Sequence, residues 1–235
     1  MKNQHFVPAI NNYCDRWCSK CSKATQCQLF AKKQTQQLNG IKMDFQNEGF
    51  WKRLIENLSS ATVELEKALA EFKTDPNNDT SVTHSPFYEK QLELLDQSSL
   101  YGMEVNRWLT EIQDYLSDFF RFSEDNGNVS IITINDACEV LRWYSMLISV
   151  KISQASFQHK WEGKETIKYD EQIGSAKVAL IGLESSMAAF LKILTGFPQY
   201  EDQILVFLAK LAIIKQEVNR LFPEAESFKR PGFDS

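Results

Sequence analysis

The chain has 235 residues, 43% of them apolar and 12% aromatic, with a net charge of −5, a composition that excludes intrinsic disorder and fits a folded globular body. Only 9 glycines and 6 prolines occur, so turns are scarce and long helices are expected. No apolar run reaches the ~20 residues that span a bilayer, because Lys210 breaks the stretch 204–214 and both Glu184 and Lys192 break 178–197; no transmembrane helix and no membrane partner are expected.

In chain order, residues 1–10 lack the apolar core of a secretory signal. A cytoplasmic location follows as the expectation, and thiols there stay reduced. Residues 1–43 hold Lys2, Arg16, Lys20, Lys23, Lys32, Lys33 and Lys42 against the single acid Asp15. This +6 head leaves −11 for residues 44–235, out of the total of −5. The charge asymmetry divides the chain into a basic head, 1–43, and an acidic body, 44–235. Such a head is expected to dock on the body, or to offset thiolate charge, before it reaches for a phosphate.

The head concentrates the chemistry. Cys14, Cys18, Cys21 and Cys27 form a C-x3-C-x2-C-x5-C run, four of the five cysteines in the chain. In a reducing compartment, thiols this close are best explained by a metal, since a cation with nearby Lys and Arg makes the thiolate form favourable. A tight turn can present Cys18 and Cys21 to one ion; Cys14 lies one helical turn before Cys18, and Cys27 can close a tetrahedron. The expected cofactor is zinc in a closed structural site, with Zn–S of about 2.3 Å and no open position for a substrate. A 4Fe-4S cluster is the alternative, because its ligands are commonly crowded into one short run. The C-x3-C-x2-C spacing also occurs in radical-SAM enzymes, but the fourth cysteine and a helical body do not fit them. Asp15, Arg16 and Trp17 lie between the first two ligands and either brace the cluster, join it to the body or form an exposed turn.

The body reads as an all-α, antiparallel bundle of about five long helices behind the small four-cysteine element. A stripe through Trp51, Leu54, Leu58, Leu65 and Phe72 predicts a helix over 45–72, followed by a polar loop, 74–86. Ser85-Pro86 opens the next helix, which carries Leu92, Val105, Leu109, Ile112 and Leu116. Small residues at 98–102 mark a kink, a close helix contact or a break. Residues 129–134 have a β-like composition without a partner strand, so the following helix is placed from Thr133 to about Phe157. A helix through Ala176, Leu183, Phe190 and Leu194 stops at Gly196 and Pro198, and the last runs from about Tyr200 to Phe222. Cys138 reads as a small apolar core residue.

Enzymatic signatures are missing. No His has a Glu three residues before it, as a di-iron bundle requires, and there is no phosphate-binding glycine loop, nucleophile elbow or H-E-x-x-H. An enzyme is therefore not expected. Lys151 falls on an apolar face, with Arg142 and Lys177 on neighbouring stretches. The expectation is that the Lys151 stem covers apolar surface while its ammonium reaches water; an internal anion site shared by Arg142, Lys151 and Lys177 is the sharper alternative.

The run Phe6 to Ile10 followed by Tyr13, Cys14, Asp15, Arg16, Trp17, Cys18, Cys21 and Cys27 resembles the opening of a family of uncharacterised bacterial proteins with a Cys-Asp-Arg-x-Cys cluster. The stretches 139–144 and 175–180 are similar to segments of its body. The resemblance implies a bacterial origin and a metal cluster, and supplies no activity. Three functions stand as expectations. The first is a metal-stapled interaction or scaffold protein with a protein partner. The second is an iron–sulfur redox protein. The third is a nucleic-acid binder using Lys20, Lys23 and Trp17.

Overall fold

The computed structural model describes residues 6–7, 10–38, 86–113, 115–116, 129–156 and 169–234. The expected helix over 45–72 and the loop 74–85 lie outside the described residues. All regular structure among those described is helical: α1 (Gln28–Leu38), α2 (Pro86–Glu111), α3 (Val129–Ser156), α4 (Tyr169–Gly196) and α5 (Glu201–Leu221), with single 3-10 turns at Ile10–Tyr13, Ala24–Gln26 and Pro198–Tyr200. The chain divides by packing into two units, Met1–Cys27 with Pro86–Ser235, and Gln28–Ser85. The packing boundary thus falls at 27/28, whereas the charge boundary falls at 43/44. Within the second unit, α1 is a polar helix with Gln28, Lys32, Lys33 and Gln34 exposed.

In the first unit α2 packs on α3, α3 on α4, α4 on α5 and α5 back on α2, closing a ring of four. Direction follows from which levels meet. Gly196 at the end of α4 faces Ile134 near the start of α3, while Gly182 faces Tyr144 and Ile148 further along it, so α3 and α4 are antiparallel. Phe190 stacks on Phe207 and Glu184 pairs with Lys215, which makes α4 and α5 antiparallel. Tyr101 meets Phe207, while the later Tyr115 meets the earlier Gln199, so α2 also runs against α5. Four helices in alternating directions around one core are the arrangement that wide apolar stripes and short links favour.

The core is built from the stripes. Val105 and Leu109 of α2, Leu141, Ile148 and Ile152 of α3, Leu183, Phe190 and Ile193 of α4, and Phe207, Leu211 and Val218 of α5 are all buried. Each such side chain contributes about 1.5–3 kcal/mol relative to leaving it in water. Trp108 lies 5.5 Å from the Phe207 ring and 5.9 Å from Phe190, an aromatic cluster where α2, α4 and α5 meet. Of the three readings of 98–102, the close contact is the one observed. The helix is continuous, Ser98 and Gly102 are buried, and a Cβ on Gly102 would sit 2.3 Å from the Ser145 carbonyl oxygen of α3.

Two expectations are corrected. Helix α3 begins at Val129, four residues before Thr133; β-branched residues cost a helix only tenths of a kcal/mol each, and among the described residues there is no strand for them to pair with. Helix α4, over Asp170–Gly196, is long and apolar enough by length and composition to cross a membrane, with a mean hydropathy of 1.6. Glu184 and Lys192 do not offset its aliphatic content. Half of its most apolar window is buried within the bundle.

Candidate functional site

The head segment is a succession of tight turns. Main-chain N–H groups of Lys20, Cys21, Ala24, Gln26 and Cys27 donate to the carbonyls of Trp17, Cys18, Cys21, Lys23 and Ala24 respectively, each three residues back. Val7 N–H donates to the Gln26 carbonyl at 3.1 Å, closing the segment into a loop. Its start is packed down: Ile10 and Tyr13 are buried, Tyr13 lies against Gly174 of α4, and its ring is 5.9 Å from Phe228. The chain beyond α5 completes this end. Gly232, with φ +81, brings the backbone against Val7 and Ile10. Arg230 forks onto Asp234 through Nε and Nη2 at 2.9 Å each, and this holds the Asp234 carboxyl down to about 2.

Asp15 joins the head to α3. Its main-chain oxygen accepts from Trp143 Nε1 at 3.0 Å. One carboxylate oxygen accepts from the Tyr144 hydroxyl at 2.6 Å, and the other accepts from the Trp17 main-chain N–H at 3.0 Å, the local turn that Asp side chains favour. Arg16, in the middle of that turn, takes φ +61, a left-handed conformation costing a non-glycine residue roughly 1–2 kcal/mol. That strain is sustained by contacts on both sides. Trp17 stacks on Trp143 with centroids 5.2 Å apart and meets the Tyr144 ring edge-on. Lys20 lies over the Trp17 ring and pairs with Glu139 at 2.7 Å and Asp136 at 3.5 Å. Of the readings open for Asp15, Arg16 and Trp17, joining the head to the body is therefore the one observed. Burial, and then the bond to the Asp15 carboxylate, push the Tyr144 hydroxyl well above its ordinary range.

All four predicted ligands, Cys14, Cys18, Cys21 and Cys27, are free thiols and partly exposed. Cys18 and Cys21 share one turn. Cys14 sits deeper, where its Sγ–H donates to the Asn11 carbonyl at 3.3 Å, and burial raises its pKa against the opposing pull of Arg16 and Lys151. Among the described residues, no three Cys, His, Asp or Glu side chains converge as a group that could hold a metal ion. Cys138 is buried in the core, and burial pushes its thiol up to about 11, consistent with an inert packing residue.

The three cations of the body are not gathered into one site. Arg142 is exposed beside a surface groove of about 450 Å³ that it shares with Trp17, Lys20 and Trp143. Lys177 donates to the Glu226 carbonyl at 2.5 Å, and Glu184, further along α4, pairs with Lys215. Lys151 departs from the expected snorkelling, being only 2% exposed. The head itself covers it: Cys14, Arg16 and Asp15 act on its charge, and burial lowers its pKa; Glu171 of α4 shares the cavity it lines. No sequence signal announced that cover, because it comes from a segment more than a hundred residues away.

Compared with known proteins, the chain matches no family model, no curated protein and no solved structure.

Proposed function

We propose that this chain is a metal-binding helical-bundle protein, in which Cys14, Cys18, Cys21 and Cys27 hold one structural zinc ion, and that it works in the cytoplasm as an interaction or scaffold protein. The observation that carries the reading is the state of those thiols. Four cysteines within 14 residues are unbridged and partly exposed on a segment of consecutive turns, while the fifth, Cys138, is buried. Turns are the backbone form from which two cysteines three apart present sulfur to one ion. Since no three ligands converge among the described residues, binding on this reading draws the turns from Cys18 to Cys27 around the ion, and metal affinity is coupled to local folding. The ion would supply a covalent-strength staple and no catalysis, because four thiolates leave no open position.

A 4Fe-4S cluster is the second reading, favoured by the compactness of the run. The nucleic-acid reading loses support from the head's own contacts: Trp17 is stacked on Trp143 and Lys20 is paired with two acids, so both are engaged within the chain. Metal analysis of the full chain purified without oxygen separates these readings. One zinc per chain in colourless protein supports the first. Iron and sulfide with absorbance near ~400 nm support the second. Protein with neither metal, whose four thiols react freely after incubation with zinc, overturns the metalloprotein reading.

A further inference from the structure

Between the head and the bundle lies a polar cavity of about 140 Å³, lined among others by Asn11, Asn12, Arg16, Lys151, Glu171 and Ser175. Two of these are cations from different parts of the chain. Lys151 projects from α3 and is almost wholly buried, and Arg16 caps the same space from the head, on a backbone held at φ +61. A buried ammonium is normally paired and hydrogen-bonded. Among the described residues, neither the buried Lys151 ammonium nor the exposed Arg16 guanidinium makes a side-chain hydrogen bond or an ion pair. The nearby carboxylates are committed elsewhere, Asp15 to Tyr144 and the Trp17 N–H, and one oxygen of Glu171 to the Asn12 amide at 3.0 Å. Cys14 faces Lys151 as a thiol bonded to the Asn11 carbonyl.

We infer that this cavity is a binding site for a small oxyanion of phosphate size, held between the Lys151 ammonium and the Arg16 guanidinium. The volume is that of four or five waters at about 30 Å³ each, enough for a tetrahedral oxyanion. Lys151, almost wholly buried, supplies a compact point charge from α3, and the exposed Arg16 supplies a planar fork from the head. The Asn11 and Asn12 amides already donate to Asn12 Oδ1 and Glu171, which leaves each one further N–H, and the buried Ser175 hydroxyl adds a neutral donor. Glu171 is the one opposing charge in the lining; one of its oxygens accepts from the Asn12 amide, and the lining holds two cations to one anion. The site uses none of the thiols as a ligand, although Cys14 faces Lys151, and it differs from an Arg142, Lys151 and Lys177 cluster in taking its second cation from the head.

The test is calorimetric titration of the full chain with inorganic phosphate at fixed ionic strength, with chloride as the control, alongside the shift in unfolding midpoint that ligand binding produces. Phosphate is expected to release or absorb heat with one site per chain and to raise the midpoint where chloride does not. Lys151→Met is expected to weaken phosphate binding by roughly tenfold or more while keeping metal content unchanged. Arg16→Gly, which suits the left-handed backbone at that position, is expected to weaken binding without lowering the unfolding midpoint of the ligand-free chain. Arg142→Gln, at an exposed cation outside the cavity, is expected to bind as the parent does. Absence of phosphate-specific binding by the parent chain overturns the proposal. So does undiminished affinity in Arg16→Gly, or in a folded Lys151→Met, or an equal loss in Arg142→Gln.

Discussion

Asp15 is the side chain on which the head's attachment turns, because it satisfies two donors and its own carbonyl satisfies a third. Tyr144 is only 6% exposed, so its hydroxyl has no ready substitute in solvent. Asp15→Ala is expected to destabilise the chain by about 1–3 kcal/mol, the cost of leaving a buried donor unmet, whereas Asp15→Asn, which keeps an acceptor, loses less. Urea unfolding followed by tryptophan fluorescence checks this, since Trp17 and Trp143 are stacked beside the bond. A cycle with Tyr144→Phe is expected to show coupling, as residues that share one bond do. Lys20 belongs to the same face but not to the same energetics. Its pairs with Glu139 and Asp136 are about half exposed, and such exposed ion pairs contribute little each.

At the scale of elements, the contact between α2 and α3 depends on a missing side chain. Glycine inside a helix costs about 1 kcal/mol against alanine, yet Gly102 sits at the middle of α2. The reason is the approach of the Ser145 backbone, which the Asn106 amide reinforces by donating to Ser145 Oγ at 2.9 Å. Gly102→Ala is therefore expected to destabilise, by about 1–3 kcal/mol as for overpacked cores, although helix propensity alone predicts a gain. A fall in the thermal midpoint, with far-ultraviolet circular dichroism unchanged at low temperature, is the expected result. An unchanged or higher midpoint would show that the two helices separate without cost. Gly182 plays the related part between α4 and Tyr144, and through Tyr144 it links bundle packing to the position of Asp15.

For the whole molecule, the bundle core and the thiol-bearing turns draw on different interactions. The core runs from Leu94 of α2 to Ala225 beyond α5 without using a head cysteine, while the turns from Cys18 to Cys27 bury no side chain completely. Cys18→Ser or Cys21→Ser is therefore expected to leave helix content intact and to raise proteolytic cutting within 18–27, most clearly in zinc-loaded protein. Wholesale loss of helix by circular dichroism would contradict that division. The all-helical class, the starts at Pro86 and stops at Gly196 and before Pro223, and most of the core stripes of α2 to α5 were legible from spacing alone; Leu92, counted in the α2 stripe, is 37% exposed, and Leu94 is buried instead. Periodicity and caps are local properties, carried within a few residues of the position they decide. The spacing of Cys14, Cys18, Cys21 and Cys27 is likewise a local property of the chain, while among the described residues no three metal-ligating side chains converge. Only tertiary structure decided that the small residues at 98–102 seat another backbone, that Lys177 meets the Glu226 carbonyl, and that Lys151 is covered. Each of these depends on which distant segment arrives at the position, and a one-dimensional pattern contains no term for that arrival: the Asp15 turn reaches α3 across about 128 residues of chain, and burial of Lys151 is the result.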